Sequence, residues 1–241
     1  CEMDTIMEIA EKYGLFVIED AAQGLMSKYK GRSLGSIGHI GCLSFHETKN
    51  YQCGEGGAIL LNNSSLIERA EIIREKGTNR SQFNRGIVDK YRWIDIGSSY
   101  LPSELNAAFL YAQFESSYKV QEKRQSLWNE YSEQLSKLDQ LDLQIIPNEL
   151  EHNSHMFYIK LKNTDERQKM IEHLKAFRIQ SVFHYIPLHK SKKCSKYNIF
   201  HNKDEYTTIE SERLLRLPIY YNLTVPDVKY ICNKVQEFFN G

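Results

Sequence analysis

An aspartate and a lysine, each close to a predicted strand, have side chains suited to joint covalent chemistry. Asp20 follows the apolar run Leu15–Ile18, and Lys49 lies in a polar loop after the run Ile40–Phe45. A lysine amine forms imines with aldehydes, and a buried carboxylate stabilises a protonated ring nitrogen through a charge-assisted hydrogen bond. The pair therefore predicts a pyridoxal-phosphate site, in which Lys49 holds the cofactor aldehyde as a Schiff base and Asp20 keeps the ring nitrogen protonated.

Two polar neighbours extend this prediction. Ser44 could give its hydroxyl to the cofactor phosphate, and Gln23 could reach the ring or its phenolic oxygen. Taken alone, Asp20 would more often cap a helix, and Lys49 would more often be a solvated surface charge. Glu19-Asp20 could also hold a ribose in a dinucleotide-binding fold, but that reading needs a G-x-G-x-x-G turn about 20 residues earlier, and the chain begins too late to show one.

At these residues the sequence resembles the DegT-type sugar aminotransferases, a family of fold-type I pyridoxal-phosphate enzymes. The resemblance extends over nearly the whole chain, through Glu19–Gln23, Gly35–Gly38, Ser44–Asn50, Gly54–Ala58 and Leu214–Pro218. It implies catalytic roles for Lys49 and Asp20. It also implies a glutamate donor and a homodimer with active sites at the interface.

Three further segments are similar to family members that aminate dTDP-4-oxo-6-deoxy-D-glucose: Phe45–Tyr51, Tyr91–Tyr100 and His184–His189. The implied product is dTDP-4-amino-4,6-dideoxy-D-galactose, for a surface polysaccharide such as enterobacterial common antigen. A few members dehydrate sugars and carry histidine at the lysine position, so Lys49 favours transamination. Two alternatives stay open: an aminotransferase for another keto nucleotide sugar, and an incomplete pyridoxal-phosphate-binding module without turnover.

Further site candidates come from the resemblance. Ser99 stands where many members have an asparagine that reaches the cofactor phosphate of the neighbouring subunit, and we expect the shorter hydroxyl to take that role. The substrate-binding candidates are His46, Arg80, His184, Tyr185 and His189. Each has an ordinary structural alternative, because a histidine at a strand end is often satisfied by backbone and a loop arginine is often solvated.

Family members carry a further segment before the point at which this chain begins, with sheet strands and a glycine-threonine turn for the phosphate. We therefore expect Cys1–Gly241 to correspond to the carboxy-terminal two-thirds or so of such an enzyme. A chain without that segment should expose apolar sheet surface.

Composition excludes several function classes. The 31 basic and 31 acidic residues give a net charge of zero, which gives no reason to expect nucleic acid or an anionic membrane as partner. No apolar run approaches the roughly 20 residues that span a bilayer, so we expect a cytoplasmic protein. The five cysteines form no CxxC pair and predict reduced thiols. His152 and His155 lack further ligands nearby, so no metal site is expected.

Alternating apolar patterns predict an α/β fold in two domains. Residues 1–118 form part of a large, mostly parallel sheet domain that binds the cofactor, and residues 119–241 form a smaller α/β domain, with the boundary inside a long helical pattern. The predicted helices cover 4–13, 65–76, 103–138, 165–177, 211–216 and 226–239. The predicted strands cover 15–18, 40–45, 56–61, 156–161 and 179–185.

Overall fold

The computed structural model describes residues 1–196 and 203–240 and divides into two compact units. The first unit comprises Cys1–Ser117 with Asn148–Asn153, and the second comprises Tyr118–Pro147 with Ser154–Gly241. A single boundary near Tyr118 does not anticipate that residues 148–153 join the first unit. They do so because a short strand in this segment pairs with a strand of the first unit.

The helices are α1 (Met3–Tyr13), α2 (Ile67–Arg74), α3 (Arg80–Asn84), α4 (Glu104–Glu115), α5 (Ser117–Leu135), α6 (Thr164–Ala176), α7 (Thr207–Arg213) and α8 (Val225–Asn240). The strands are β1 (Ile18–Asp20), β2 (Lys28–Tyr29), β3 (Arg32–Ser33), β4 (Ile40–Ser44), β5 (Gly57–Leu61), β6 (Asp142–Leu143), β7 (Leu150–Glu151), β8 (Phe157–Lys160), β9 (Val182–Phe183) and β10 (Leu214–Leu217). Short 3₁₀ turns lie at Ser64–Leu66, Leu188–Lys190 and Cys194–Lys196.

The sheet that bears the predicted site has the strand order β1-β4-β5. Strands β1 and β4 are parallel, with Asp20 opposite Cys42, and β5 returns antiparallel to β4, with Gly57 opposite Ser44. Helix α1 leads into this sheet and ends as predicted at Gly14, whose left-handed φ of 64° suits a residue without a Cβ.

The prediction of a buried strand at Leu15–Ile18 is wrong in place and in burial. Strand β1 begins at Ile18, so Glu19 and Asp20 belong to the strand, and Asp20 is its last residue, at its carboxyl end. The side chains of Phe16 and Ile18 are about two-thirds exposed, at 65% and 63%. Alternation places Ile18 and Asp20 on the same face of the sheet, and the described residues leave that face largely open.

A small second sheet, β3-β2-β7, was not predicted from sequence. Its first two strands form a hairpin through Lys30 and Gly31, both with positive φ, and β7 pairs antiparallel with β2. Each strand has two residues, which is too short for a period-two pattern to register. Tyr29 of this sheet is fully buried and packs with Met3 and Ile37.

The second unit consists of an antiparallel sheet, β6-β8-β10-β9, packed with helices. Its continuous core draws on α5, α6, α8, β8 and β10, including Leu127, Tyr131, Phe157, Ile159, Met170, Leu174, Leu215, Val228 and Val235. Such packing of helices on a sheet agrees with the predicted α/β class.

Two predictions in the second unit are wrong in type or length. The predicted helix 211–216 is instead the end of α7 followed by β10, in which Leu215 and Leu217 are buried while Leu214 and Arg216 are half-buried. That period-two burial marks a strand. The predicted strand 179–185 is reduced to Val182–Phe183.

The long helical pattern 103–138 is two helices in the structure. Ser103 caps α4 as predicted, since its hydroxyl accepts from the backbone N–H of Asn106. Helix α4 ends at Glu115, and α5 begins at Ser117. The loop predicted between 77 and 92 also contains a short helix, α3.

Three features are reported for the described residues only. No helix there is both long and apolar enough to cross a bilayer. No group of three or more His, Cys, Asp or Glu side chains within that part of the chain is placed to hold a metal ion. The five cysteines are free thiols.

Candidate active site

Asp20 is the last residue of β1, at the carboxyl end of a parallel strand pair. Its Oδ1 accepts a hydrogen bond of 3.1 Å from the backbone N–H of Ala22. Its Oδ2 makes no hydrogen bond to any residue that the structure describes. Because Asp20 lies opposite Cys42, it shares a sheet face with Ser44, about 7 Å further along the neighbouring strand. Carboxyl ends of parallel strands are the usual ligand side of such sheets.

Glu19, the other acid of the pair, points the opposite way and is buried. Its Oε1 accepts from the backbone N–H groups of Ile37 and Gly38, both at 2.6 Å, and its Oε2 accepts from Gly35 at 2.8 Å. The carboxylate is thus fully used in holding the turn 35–38. The two adjacent acids therefore have separate tasks, which argues against a joint ribose-binding role for Glu19-Asp20.

Lys49 lies in a loop that continues the β4–β5 pairing. Phe45 and Glu47 donate backbone hydrogen bonds to Gly56 and Gly54, each at 2.8 Å, and the Lys49 N–H donates to the His46 carbonyl at 2.9 Å. The half-buried Lys49 ammonium makes no hydrogen bond or ion pair to any described residue. An amine held on an ordered loop without a carboxylate partner is available to another group.

Helix α4 supports the far side of this loop. The Gln113 side chain donates to the Gln52 carbonyl at 2.6 Å and accepts from the Gln52 N–H at 3.2 Å. The buried Tyr51 donates its hydroxyl to the Ser117 carbonyl at 2.9 Å. Phe114 packs against Phe45 and Tyr51. These contacts hold the loop at both its backbone and its aromatic side chains.

Asn153 links the Lys49 loop to the loop that follows Asp20. Its Nδ2 donates to the carbonyls of Gln23 at 2.7 Å and Leu25 at 2.8 Å, and its own carbonyl accepts from Asn50 Nδ2 at 3.1 Å. Sequence reasoning missed Asn153, which belongs to no motif and whose contacts span more than a hundred residues. Glu19 lies in the segment Glu19–Gln23, but its role in holding the turn 35–38 was not predicted.

Of the other cofactor candidates, Ser44 lies close to Lys49 in the chain and Gln23 lies close to Asp20, whereas Ser99 is distant from both. Ser44 is half-buried, and its hydroxyl accepts from the His46 N–H at 3.3 Å, which leaves the hydroxyl hydrogen available. Gln23 has an exposed side chain, and its backbone carbonyl is fixed by Asn153. Ser99 is exposed and forms an isolated antiparallel bridge with Glu75. Its predicted role at a cofactor phosphate stays a prediction.

His46 is satisfied within its own loop. Its Nδ1 lies 3.0 Å from the Thr48 hydroxyl and accepts from the Thr48 N–H at 3.2 Å. Its Nε2 lies 3.7 Å from a Glu55 carboxylate oxygen. These contacts fix the orientation of the His46 ring, three residues before Lys49. Its role in substrate binding stays a prediction.

Two arginines of the loop 77–92 differ in whether their guanidinium groups can bind an anionic ligand. Arg85 forms a bidentate pair with Glu71 at 2.7 and 2.8 Å, and this guanidinium lowers the pKa of Glu71. Arg80 is exposed, with its guanidinium carbon 5.9 Å from the centre of the Tyr91 ring. Arg80, rather than Arg85, therefore retains donors for an anionic ligand.

His184, Tyr185 and His189 all belong to the second unit. The His189 Nε2 lies 2.8 Å from Asp204 Oδ2, and Asp204 also accepts from the Thr208 hydroxyl. Thr208 and then His189 lower the pKa of Asp204. His184 has a buried Nδ1 without a hydrogen bond among the described residues. Burial, and then the charge of Arg216, lower its pKa.

The donor set of the first unit suits pyridoxal phosphate. The unpaired Lys49 amine can bond to an aldehyde. The unused Oδ2 of Asp20 can accept from a ring N–H⁺. The half-buried Ser44 hydroxyl can donate to a phosphate. Only part of a phosphate cup is visible in these residues, since no glycine-rich phosphate loop precedes a helix here.

Comparison with known proteins agrees with this chemistry. Residues 1–236 match the DegT/DnrJ/EryC1/StrS aminotransferase family. The chain is 33% identical to the uncharacterised protein MJ1066 of Methanocaldococcus jannaschii, over 98% of this chain and 63% of that protein. It is 29% identical to GDP-perosamine synthase of Escherichia coli O157:H7, over 100% of this chain and 63% of that protein. The chain thus spans less than two-thirds of the length of these relatives.

Solved structures show the same fold. DesV of S. venezuelae, in complex with a ketimine intermediate, superposes with a TM-score of 0.84 at 27% identity, covering 99% of this chain and 62% of that one. The PMP and PLP forms of a Streptococcus pneumoniae protein named putative sugar aminotransferase Spr1654 superpose with TM-scores of 0.86 and 0.83 at 18% identity, over 100% of this chain and 66% and 65% of those chains. The mixed α/β units described above therefore have the fold of these solved structures.

Proposed function

Because the chain belongs to the DegT/DnrJ/EryC1/StrS aminotransferase family, we propose that it carries the lysine of a pyridoxal-phosphate-dependent sugar aminotransferase. The proposed reaction moves an amino group from glutamate to dTDP-4-oxo-6-deoxy-D-glucose and yields dTDP-4-amino-4,6-dideoxy-D-galactose. The product would serve a surface polysaccharide such as enterobacterial common antigen. A cytoplasmic homodimer is part of this proposal.

The observation that carries the proposal is the state of Lys49. Most lysines are solvated on the surface, whereas this one is half-buried on a loop that several backbone hydrogen bonds order. Its amine has no carboxylate partner among the described residues. Asp20 and Ser44 share one sheet face at the end of β4, the strand from which the Lys49 loop departs.

The roles of the chain's own residues follow from their positions. When bound, the cofactor supplies an aldehyde for amino-group exchange and a protonated ring that takes up electron density. Asp20 holds the proton on the ring nitrogen. Lys49 would anchor the cofactor at rest and, once its amine is released, would move a proton to and from the substrate carbon that carries the amino group. Ser44 would hold the phosphate of its own cofactor, Ser99 would reach the phosphate of the neighbouring subunit's cofactor, and Gln23 would contact the ring or its phenolic oxygen.

The nucleotide sugar requires anion recognition as well as a site for the keto carbon. Arg80 has an exposed guanidinium that suits a pyrophosphate or the glutamate carboxylate. We propose His46, His184, Tyr185 and His189 as further substrate contacts. His184 supports such a role because its low pKa keeps the ring neutral near pH 7, so that it can donate or accept a hydrogen bond.

A second candidate substrate is another keto nucleotide sugar. The identity to a protein named GDP-perosamine synthase over the whole of this chain favours it. The two proposals differ in the keto nucleotide sugar that accepts the amino group. Incubation with glutamate and each keto sugar nucleotide, followed by mass spectrometry and NMR of the product, distinguishes them.

The test begins with the anchor. Purified protein is mixed with pyridoxal phosphate, reduced with borohydride and mapped by peptide mass spectrometry. We expect a pyridoxyl group on Lys49. Lys49→Ala should lose the adduct and lower turnover by about 100-fold or more, the scale of a lost acid–base group. The exposed Lys137→Ala is the matched control and should retain both. An adduct elsewhere, or full turnover in Lys49→Ala, would refute the proposal.

Asp20 is tested separately. Asp20→Asn keeps the side-chain shape but cannot hold the ring proton as a charge partner, so we expect cofactor to bind while most turnover is lost. A near-normal rate would remove Asp20 from its role. An adduct at Lys49 with no turnover on any keto sugar nucleotide would instead favour a binding module without catalysis.

A further inference from the structure

Asn153 is a buried polar residue that the proposed reaction does not use directly. Only 5% of its surface is exposed. Its side-chain amide donates to Gln23 and Leu25, and its backbone N–H donates to the Ser27 hydroxyl at 3.1 Å. Three groups of the loop that follows Asp20 are thus fixed by one residue from a distant part of the chain.

The same residue reaches the second loop through its backbone. The Asn153 carbonyl accepts from Asn50 Nδ2 at 3.1 Å, and Asn50 is the residue directly after Lys49. The loops that carry the two central groups of the proposed site are therefore joined through Asn153. Strands β1 and β4 are neighbours, but their pairing ends at Asp20 and Cys42, so it does not fix the two loops relative to each other.

We infer that Asn153 is a positioning residue that sets the placement of the Lys49 loop relative to the loop after Asp20. This inference rests on the proposed function, because the spacing matters only if both loops serve one bound cofactor. A buried amide whose two hydrogens are both accepted by carbonyls tolerates few replacements. A carboxylate in its place would set an acceptor against two acceptors.

Three variants separate positioning from general stability. Asn50→Ala removes the side-chain donor of the hydrogen bond between the loops. Asn153→Asp replaces the amide that donates to the carbonyls of Gln23 and Leu25 with a carboxylate that cannot donate. Glu151→Gln, two residues before Asn153, is the control. It breaks an exposed ion pair with Lys28, and such surface pairs contribute little to stability.

The first readout is amide hydrogen exchange of purified protein without cofactor. Asn50→Ala should speed exchange in residues 45–54 by about 2- to 10-fold, the scale of one lost hydrogen bond, and leave 21–27 unchanged. Asn153→Asp should speed exchange in both loops. Glu151→Gln should change neither. Equal acceleration throughout the first unit, or none in either loop, would overturn the inference.

The second readout is the absorbance of protein with pyridoxal phosphate bound, titrated with pH. We expect the midpoint of the absorbance change to shift in Asn50→Ala, because the lysine nitrogen moves relative to Asp20, whereas Glu151→Gln keeps the wild-type midpoint. A wild-type midpoint in Asn50→Ala despite faster loop exchange would refute the positioning role alone. Absence of any cofactor bond at Lys49 in the wild type would instead refute the proposed function and, with it, the role of Asn153.

Discussion

The two units of the chain are stabilised in different ways. The second unit has a continuous apolar core in which Tyr131 stacks on Phe157 with ring centres 4.9 Å apart. The first unit has a small apolar cluster around Tyr29, and large apolar residues such as Ile18 and Ile59 are more than half exposed. Its loops are held by buried polar groups, chiefly Glu19 and Asn153.

The two units differ in whether apolar burial or hydrogen bonds of fixed direction hold their elements in place. Apolar burial is strong but non-directional, and it holds the helices of the second unit against their sheet. Hydrogen bonds contribute less net free energy but fix direction. The unit that carries Asp20 and Lys49 uses such directional contacts at the loops that follow its strands.

The largest expected effect on the free energy of unfolding comes from a substitution in the core of the second unit. Ile159→Thr places a hydroxyl and a small cavity at a fully buried position of β8. We expect a loss of about 2–4 kcal/mol in the free energy of unfolding. Urea unfolding followed by circular dichroism measures it. Ile145→Thr, at a position 91% exposed in the same unit, is the control and should change little.

The polar counterpart in the first unit is Glu19. Glu19→Gln keeps the shape but turns one acceptor into a donor facing backbone N–H groups. We expect a loss of about 1.5–3 kcal/mol, the scale of hydrogen bonds to a charged group, with faster hydrogen exchange at residues 35–38. The exposed Glu11→Gln should leave both unchanged. If Glu19→Gln matched that control, the polar clamp would have no role in stability.

The same Ile→Thr change should have little effect on the sheet of the first unit. Ile59 lies in the middle of β5 but is 53% exposed, and threonine keeps the β-branched shape that strands favour. We expect a change of under about 1 kcal/mol in unfolding free energy and higher solubility of the purified chain. A loss as large as that of Ile159→Thr would show that this face is covered in solution.

The smallest expected effect concerns pH and the second unit. The pKa of His184 is lowered below its usual 6.5 by burial and then by Arg216. Below about pH 6.5 the unfolded chain therefore binds a proton more readily than the folded chain, and stability falls as pH falls. Urea midpoints at pH 7.5 and 5.5 measure the difference. His184→Gln should reduce it, and an unchanged difference would mean that other groups cause it.

Local signals in the sequence were sufficient for the central part of the fold. The runs Ile40–Phe45 and Gly56–Leu61 became β4 and β5, and Ser103 caps α4 as predicted. Each depends on neighbours within a few residues. The family resemblance, which the match over residues 1–236 supports, added what these patterns lack, namely support for the prediction that Asp20 and Lys49 serve one site.

Features that depend on distant partners were missed or misread. Leu214–Leu217 has the apolar content of a helix end, but its pairing with β8 makes it a strand. Leu15–Ile18 is apolar and yet exposed, because burial depends on what covers it. The role of Asn153 depends on carbonyl groups far along the chain. A lone asparagine in a polar segment of the sequence gives no sign of such contacts.

The long reach of the Asn153 contacts also orders the assembly of the site in time. The Lys49 loop closes between consecutive strands, and hairpins of this kind form within microseconds. Its bond to residue 153 spans 103 positions and bears a much larger loop-closure cost. During synthesis at about 5–20 residues per second, this partner leaves the ribosome several seconds after the loop. The Lys49 loop therefore forms early, and its hydrogen bond to Asn153 forms late.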